Sequence, residues 1–241
     1  MIVDRLPPFT VVIPCFNEAA RIGATAQATV DYLRTNSPES ELIIVNDGST
    51  DSTSSVAKSA LANASIETRL LETFPNRGKG AAARSGLLAA SKPIGLFFDA
   101  DLSTPLSEIP KLVGPIANTD ADVAFGSRAL DRRLIGVHQP WRREQAGRVF
   151  NLIVRFATGM PFWDTQCGFK AFCLDVCRPI LEKARITGFA FDVELLFLAY
   201  RAGLRLREVP VRWNHAEGSK VRVVRDSLKM LREVIALRMS T

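Results

Sequence analysis

The chain has 241 residues, 47% of them hydrophobic and 23% charged, the balance of a folded globular protein and not of a disordered or fibrous one. A net charge of +6 and a pI of about 9.4 favour phosphate-rich partners: nucleotides, nucleic acid or an anionic membrane surface. No run of about 18 apolar residues exists, so no transmembrane helix is expected, and residues 1–8 carry charges and lead into a strand instead of forming a signal peptide.

In chain order, residues 9–13 are a short apolar, β-branched run that predicts a buried strand. A helix follows over 17–35, with Asn17 placed to cap it. Strand signals recur at 42–45, 66–71, 94–98 and 121–125, with helix signals at 52–62 and 80–90 between them. Alternating strands and helices imply an α/β fold, a mostly parallel sheet covered by helices on both faces. The second half is less regular. Residues 141–158 look helical and basic, 163–172 a loop, 191–201 an amphipathic helix, and 204–213 extended but interrupted by Pro210. A last helix spans 221–239, with Val224, Leu228, Leu231 and Ile235 on one side and basic residues on the other. That basic side suits either anionic headgroups or plain solvent. Cys15, Cys167, Cys173 and Cys177 match no zinc spacing and read as buried thiols.

In parallel α/β sheets, ligands bind outside the carboxyl ends of the strands. Those ends hold Pro14-Cys15-Phe16-Asn17-Glu18, Asn46-Asp47-Gly48-Ser49, Asn76-Arg77-Gly78-Lys79-Gly80, Asp99-Ala100-Asp101 and Gly126-Ser127-Arg128. Asp99-Ala100-Asp101 offers two carboxylates beside one small residue, suited to a hard divalent cation completed by substrate phosphates. Asp47 suits a base or ribose hydrogen bond, or equally a helix cap or Asx-turn. Residues 77–80 let backbone approach a diphosphate at a helix start, without the GxxxxGK[ST] pattern of a P-loop.

This ordered set resembles the family-2 glycosyltransferases of GT-A fold. In the second half, Asp164-Thr-Gln-Cys-Gly-Phe-Lys170, Phe191-Asp-Val-Glu-Leu-Leu196, Glu208-Val-Pro-Val-Arg-Trp213 and Gly218-Ser-Lys220 are similar to the dolichyl-phosphate β-glucosyltransferase group. The resemblance covers about residues 8–240. It implies a single domain over 1–241, with a nucleotide-sugar half at 8–128 and an acceptor half with carboxy-terminal helices at 129–241. It also implies UDP-glucose as donor, a polyprenyl or dolichyl phosphate as acceptor, inversion at the sugar carbon, and Mg2+ or Mn2+ on Asp101. Pro14, Phe16, Asn17, Glu18, Asp47, Lys79 and Asp99 then border the nucleotide. Asp99, Asp101 and Arg128 become the catalytic residues, and Arg128, Arg142, Arg143, Lys170 and Lys220 become candidates for the acceptor phosphate. The family's usual Tyr is Phe16 here, one of its usual aspartates is Asn46, and Ser103 stands where mannosyl relatives offer Gln to the metal.

A phosphate monoester has a second pKa of about 6 and is already nucleophilic near neutral pH, so no general base is expected. Asp164, Asp192 and Glu194 are the carboxylates available if one is needed. The expected setting is cytoplasmic, with peripheral membrane contact and no nucleic acid partner. The same fold with GDP-mannose or a sugar hydroxyl acceptor is the near alternative. A non-catalytic nucleotide-sugar binding module is the distant one, and a sugar nucleotidyltransferase is disfavoured because its glycine- and arginine-rich first loop is missing.

Overall fold

Parallel strands covered on both faces need apolar side chains on both, and the first two strands supply them. In the computed structural model, which describes residues 5–216 and 223–239 (backbone alone at 142, 223–228 and 239), β1 (Phe9–Cys15) and β2 (Glu41–Asp47) are buried at every residue. They pair in parallel, with Val11 beside Leu42 and Ile13 beside Ile44. The two-residue period of a strand sends Val12, Ile43 and Val45 into one core and Val11, Ile13, Leu42 and Ile44 into the other.

The main sheet runs β3-β2-β1-β4-β7-β5-β8, with β3 (Glu67–Thr73), β4 (Ile94–Phe98), β5 (Val123–Ser127), β7 (Phe169–Cys173) and β8 (Leu206–Pro210). Only β7 is antiparallel, slotted between β4 and β5. A small parallel pair, β6 (Ile135–Val137) and β9 (Trp213–Asn214), lies apart from it. Helices α1 (Ile22–Asn36), α2 (Thr53–Leu61) and α4 (Ile109–Ala117) cover one face. The other carries α3 (Lys79–Ala89), α5 (Trp141–Thr158), α6 (Leu174–Lys183), α7 (Phe191–Arg201) and α8 (Val223–Met239). This is the mixed, mostly parallel sheet between helices that the sequence implies. The order in which the chain adds strands reverses between the parallel neighbours β1 and β4, so the carboxyl ends of those strands frame a crevice.

Several expectations shift. Helix α1 begins at Ile22, and Asn17 does not cap it: it takes a left-handed backbone (φ 52°) and its Oδ1 accepts from Thr50 N at 2.8 Å. Loop-to-loop bonds outcompete the cap, since Ser49 and Thr53 hydroxyls also accept the amides of Asn17 and Glu18. Strand β7 occupies part of the stretch expected to be a loop, because Lys170 interrupts its apolar pattern. Helices α4 and α6 carry Pro115 and Pro179, which hide them from a pattern search. Strand β5 sits two residues later than expected, and β8 ends at Pro210.

Helix α3 approaches the sheet through Gly86. A Cβ there would meet Val12 and lie 2.9 Å from Val45 Cγ2. Gly86→Ala is therefore expected to destabilise the fold by about 1–3 kcal/mol through overpacking, despite the better helix propensity of alanine, as read by urea unfolding. A variant at least as stable as the parent would mean that α3 retreats freely from β1 and β2.

Candidate active site

The loop after β4 is fixed from two sides. Thr25 Oγ1, on α1, donates to Ala100 O at 2.7 Å, and Asp101 Oδ1 accepts from Ser103 N at 2.9 Å in an Asx-turn. Asp99 lies against Gly168, where a Cβ would come within 2.8 Å of the Asp99 carboxyl carbon, so that position admits only glycine without displacing the aspartate. Asp99 Oδ1 is ion-paired with Lys79 Nζ at 2.6 Å but makes no directed hydrogen bond. Lys79 opens α3, which places its ammonium beside the aspartates. Burial works against that charge, but Asp99, Asp192 and Asp101 outweigh it and raise its pKa.

Asp47 is buried at the end of β2, and both its oxygens are engaged. It accepts from Thr73 Oγ1, Asn76 Nδ2, Arg77 N and Gly78 N at 2.7–2.9 Å. It thereby holds the 76–78 loop in place, a role its sequence position alone does not disclose. Gly78 (φ 103°) takes a conformation that other residues avoid and passes against Thr187. Pro14 is buried in β1, while Phe16, Asn17 and Glu18 stand half-buried at its carboxyl end. Glu18 pairs with Arg21 at 2.8 Å.

Beneath Asp99, Lys170 on β7 is 0% exposed, with its Nζ 2.6 Å from Asp192 Oδ1 and 2.5 Å from Cys167 O. This corrects its assignment to the acceptor phosphate, since every direction open to its ammonium leads into protein. Burial pushes the Asp192 carboxyl up, and Lys170 and Lys79 only partly reverse it. Glu194 accepts the amides of Arg185 and Ile186 at 2.8 and 2.7 Å. Arg128 clamps Asp164 with Nε to Oδ2 at 2.7 Å and Nη2 to Oδ1 at 2.9 Å. Burial raises the Asp164 carboxyl, but the charge and hydrogen bonds of Arg128 outweigh it and hold the pKa at about 2. Glu208 on β8 accepts the amides of Trp163 and Asp164, which orients that turn. All three carboxylates considered as bases are thus committed to partners.

A cavity of about 630 Å3 opens beside this clamp, under α5. Its walls include Arg128, Arg132, Arg148, Arg155, Asn151 and Gln166, with Leu130, Leu152, Trp163 and Trp213 between them. Trp213 also borders a cleft of about 10 Å3 beside Asp99 and Asp101. Arg128 is neutralised by Asp164 and Arg132 by Glu144. Among the described residues no carboxylate pairs with Arg148 or Arg155, and Arg155 stacks on Trp163 at 3.7 Å. These two arginines were overlooked in the sequence, where the basic character of α5 was visible but not which side faced a cavity. Arg143 is half-buried and outside the cavity wall. Lys220 and the side chain of Arg142 lie outside the described residues.

The protein offers an incomplete cation site. Among the described residues no three His, Cys, Asp or Glu side chains converge as a metal cage. Among the described residues Asp99 and Asp101 are the carboxylates that border the cleft, with Asp99 Oδ1 against Lys79, a set that fits Mg2+ or Mn2+ only when a substrate adds its own oxygens.

A family model described as Glycosyl transferase family 2 matches residues 10–181. The dolichyl-phosphate beta-glucosyltransferase of Saccharomyces cerevisiae is 31% identical over 96% of this chain and 74% of its own length. That of Drosophila melanogaster is 34% identical over 95% and 73%. In three dimensions, glucosyl-3-phosphoglycerate synthase from Mycobacterium tuberculosis, crystallised with Mn2+, UDP-glucose and phosphoglyceric acid, superposes with a TM-score of 0.69 at 24% identity, covering 97% of this chain and 79% of that one.

Removing the Asp164 charge isolates the clamp. Asp164→Asn is expected to cost about 3 kcal/mol by leaving Arg128 unpaired. Because the folded-state pKa is depressed, the ionised carboxylate stabilises fully above about pH 4 and loses that effect as pH falls through about 2. Urea unfolding along an acidic pH series should show a flatter decline for the variant than for the parent. Parallel declines would mean that the pair contributes nothing to acid sensitivity.

Proposed function

The chain belongs to glycosyl transferase family 2, and from that premise we propose that it moves glucose from UDP-glucose to a polyprenyl or dolichyl phosphate, with inversion at the sugar carbon. It is a glycosyltransferase of GT-A fold. The observation that carries the acceptor assignment is the cavity under α5, whose wall holds Arg148 and Arg155, without carboxylate partners among the described residues, beside apolar side chains. Such a wall complements a phosphate on a hydrocarbon chain. The names of the curated relatives support the same acceptor.

In this reading the donor diphosphate lies over the crevice between β1 and β4. Pro14, Phe16, Asn17 and Glu18 border the nucleoside, and Asp47 acts on it through the loop it holds. Asp101 is assigned to the cation and Asp99 to the sugar or ribose side. When bound, Mg2+ or Mn2+ neutralises charge on the departing nucleoside diphosphate. Lys79 adds a fixed positive charge at the same end, and its raised pKa keeps that charge at neutral pH. Arg148 and Arg155 hold the acceptor phosphate in line, with Arg128 behind them as a cation fixed by Asp164. Acceptor activation needs no proton transfer, since the phosphate is already mostly dianionic. That agrees with the engagement of Asp164, Asp192 and Glu194 in ion pairs and backbone bonds. The enzyme would work at the cytoplasmic face of a membrane as a peripheral protein.

A screen of radiolabelled UDP- and GDP-sugars against a short polyprenyl phosphate tests the donor. UDP-glucose should be the preferred substrate, and Asp101→Ala should lower its turnover by about 100-fold or more. Preference for GDP-mannose would overturn the donor assignment, and UDP-glucose binding without any turnover would make the chain a binding module.

A further inference from the structure

Helix α5 has two apolar sides, and the fold uses only one. Phe150, Val154 and Thr158, spaced four apart, are buried. Val149, Leu152, Ile153 and Phe156, at i, i+3, i+4 and i+7, form a second stripe that faces outward, and Trp141 stands exposed at the start of the same helix. Phe156 is 79% exposed and Trp141 72%. Single apolar residues on a surface are ordinary, but a continuous stripe on one helix marks a contact surface.

The stripe is continuous with the cavity. Val149 and Leu152 are exposed on α5 and also line that cavity, as does the half-exposed Trp163 at its mouth. Arg148 and Arg155 lie along the cavity side of the same stripe. An apolar ridge bordered by arginines is the pattern of a helix lying in a bilayer interface, with its ridge among the acyl chains and its guanidinium groups at the level of the phosphates. No helix among the described residues is long and apolar enough to cross a membrane. The terminal helix, whose basic side was a membrane candidate in the sequence, buries Met230, Val234 and Leu237 in the core.

We propose that α5 is the membrane-docking element of this protein, and that its partner is an anionic phospholipid surface. The inference rests on the reading of the acceptor as a lipid phosphate and deepens it. Docked through α5, the cavity mouth opens at headgroup depth, so the acceptor phosphate reaches the arginines while its chain stays in the bilayer. A second copy of the chain would cover the stripe but would also close the mouth.

The test is flotation of the full chain on phosphatidylcholine vesicles with and without phosphatidylglycerol, beside a triple variant W141S/I153S/F156S. None of the three residues lines the cavity. The parent should float, more on anionic vesicles, and the variant should partition about tenfold or more weakly. Its turnover of a short-chain, water-soluble acceptor without vesicles should stay within about twofold of the parent, while turnover of a long-chain acceptor embedded in vesicles falls about tenfold. Exchanging one aromatic side chain for another, F156W in the parent, should keep flotation intact. The proposal is overturned if the parent does not float, if the variant floats equally well, or if the parent is a dimer that the three substitutions dissociate. Flotation needs neither donor nor acceptor, so an absence of glucosyl transfer counts against the acceptor reading alone.

Discussion

The site is organised around a charge pair that the solvent never reaches, Lys170 with Asp192 at 2.6 Å. Placing either charge alone in the interior would cost several kcal/mol, so each requires the other and a further polar partner. Cys167 O supplies one for the ammonium. The pair joins the antiparallel β7, where Lys170 pairs in register with Phe97 of β4, to the first turn of α7. Around it the signs alternate, with Lys79 between Asp99 and Asp192 on one side and Asp164 held by Arg128 on the other. A single antiparallel strand in an otherwise parallel sheet brings these groups together, because β7 is the element that carries Lys170 between β4 and β5.

That alternation decides which groups remain available for chemistry. Asp164, Asp192 and Glu194 are held by Arg128, Lys170 and backbone amides and would have to break those bonds to reach an acceptor, whereas Asp99, beside Lys79, and Asp101 stand at the cleft. Cations locked to carboxylates position neighbouring groups, whereas Arg148 and Arg155, with no carboxylate partner among the described residues, present their charge to a cavity. A site with carboxylates at one end and, among the described residues, arginines without carboxylate partners at the other and no uncommitted base between them suits transfer to an acceptor that is already an anion.

Much of this was legible in the sequence. Helices α5 and α7 and strand β4 have the bounds their patterns predict, because each is a clean apolar or amphipathic run. The strand-end clusters also lie where alternating β and α elements put them. What was hidden has physical reasons. Lys170 read as a candidate for the acceptor phosphate because a buried lysine is recognisable only through its partner, Asp192, which is distant in sequence. Asp47 read as a ligand or a cap because its four donors come from residues 73–78, joined to it by the β2–β3 pairing. Arg148 and Arg155 escaped notice because a helical pattern says which residues share a side, not what that side meets. The same gap hid the outward stripe of α5: its apolar residues look like core until Phe150 and Val154 are seen to fill that role.

The central claim is that the cavity under α5 selects a phosphate as the nucleophile. The most direct measurement offers the protein, with UDP-glucose, equal amounts of a short polyprenyl phosphate and the matching polyprenol, and resolves the two glucosylated products. Exclusive formation of the glucosyl phosphate is the predicted result. Comparable glucosylation of the free alcohol would contradict it, since an alcohol needs a general base that this site does not leave free.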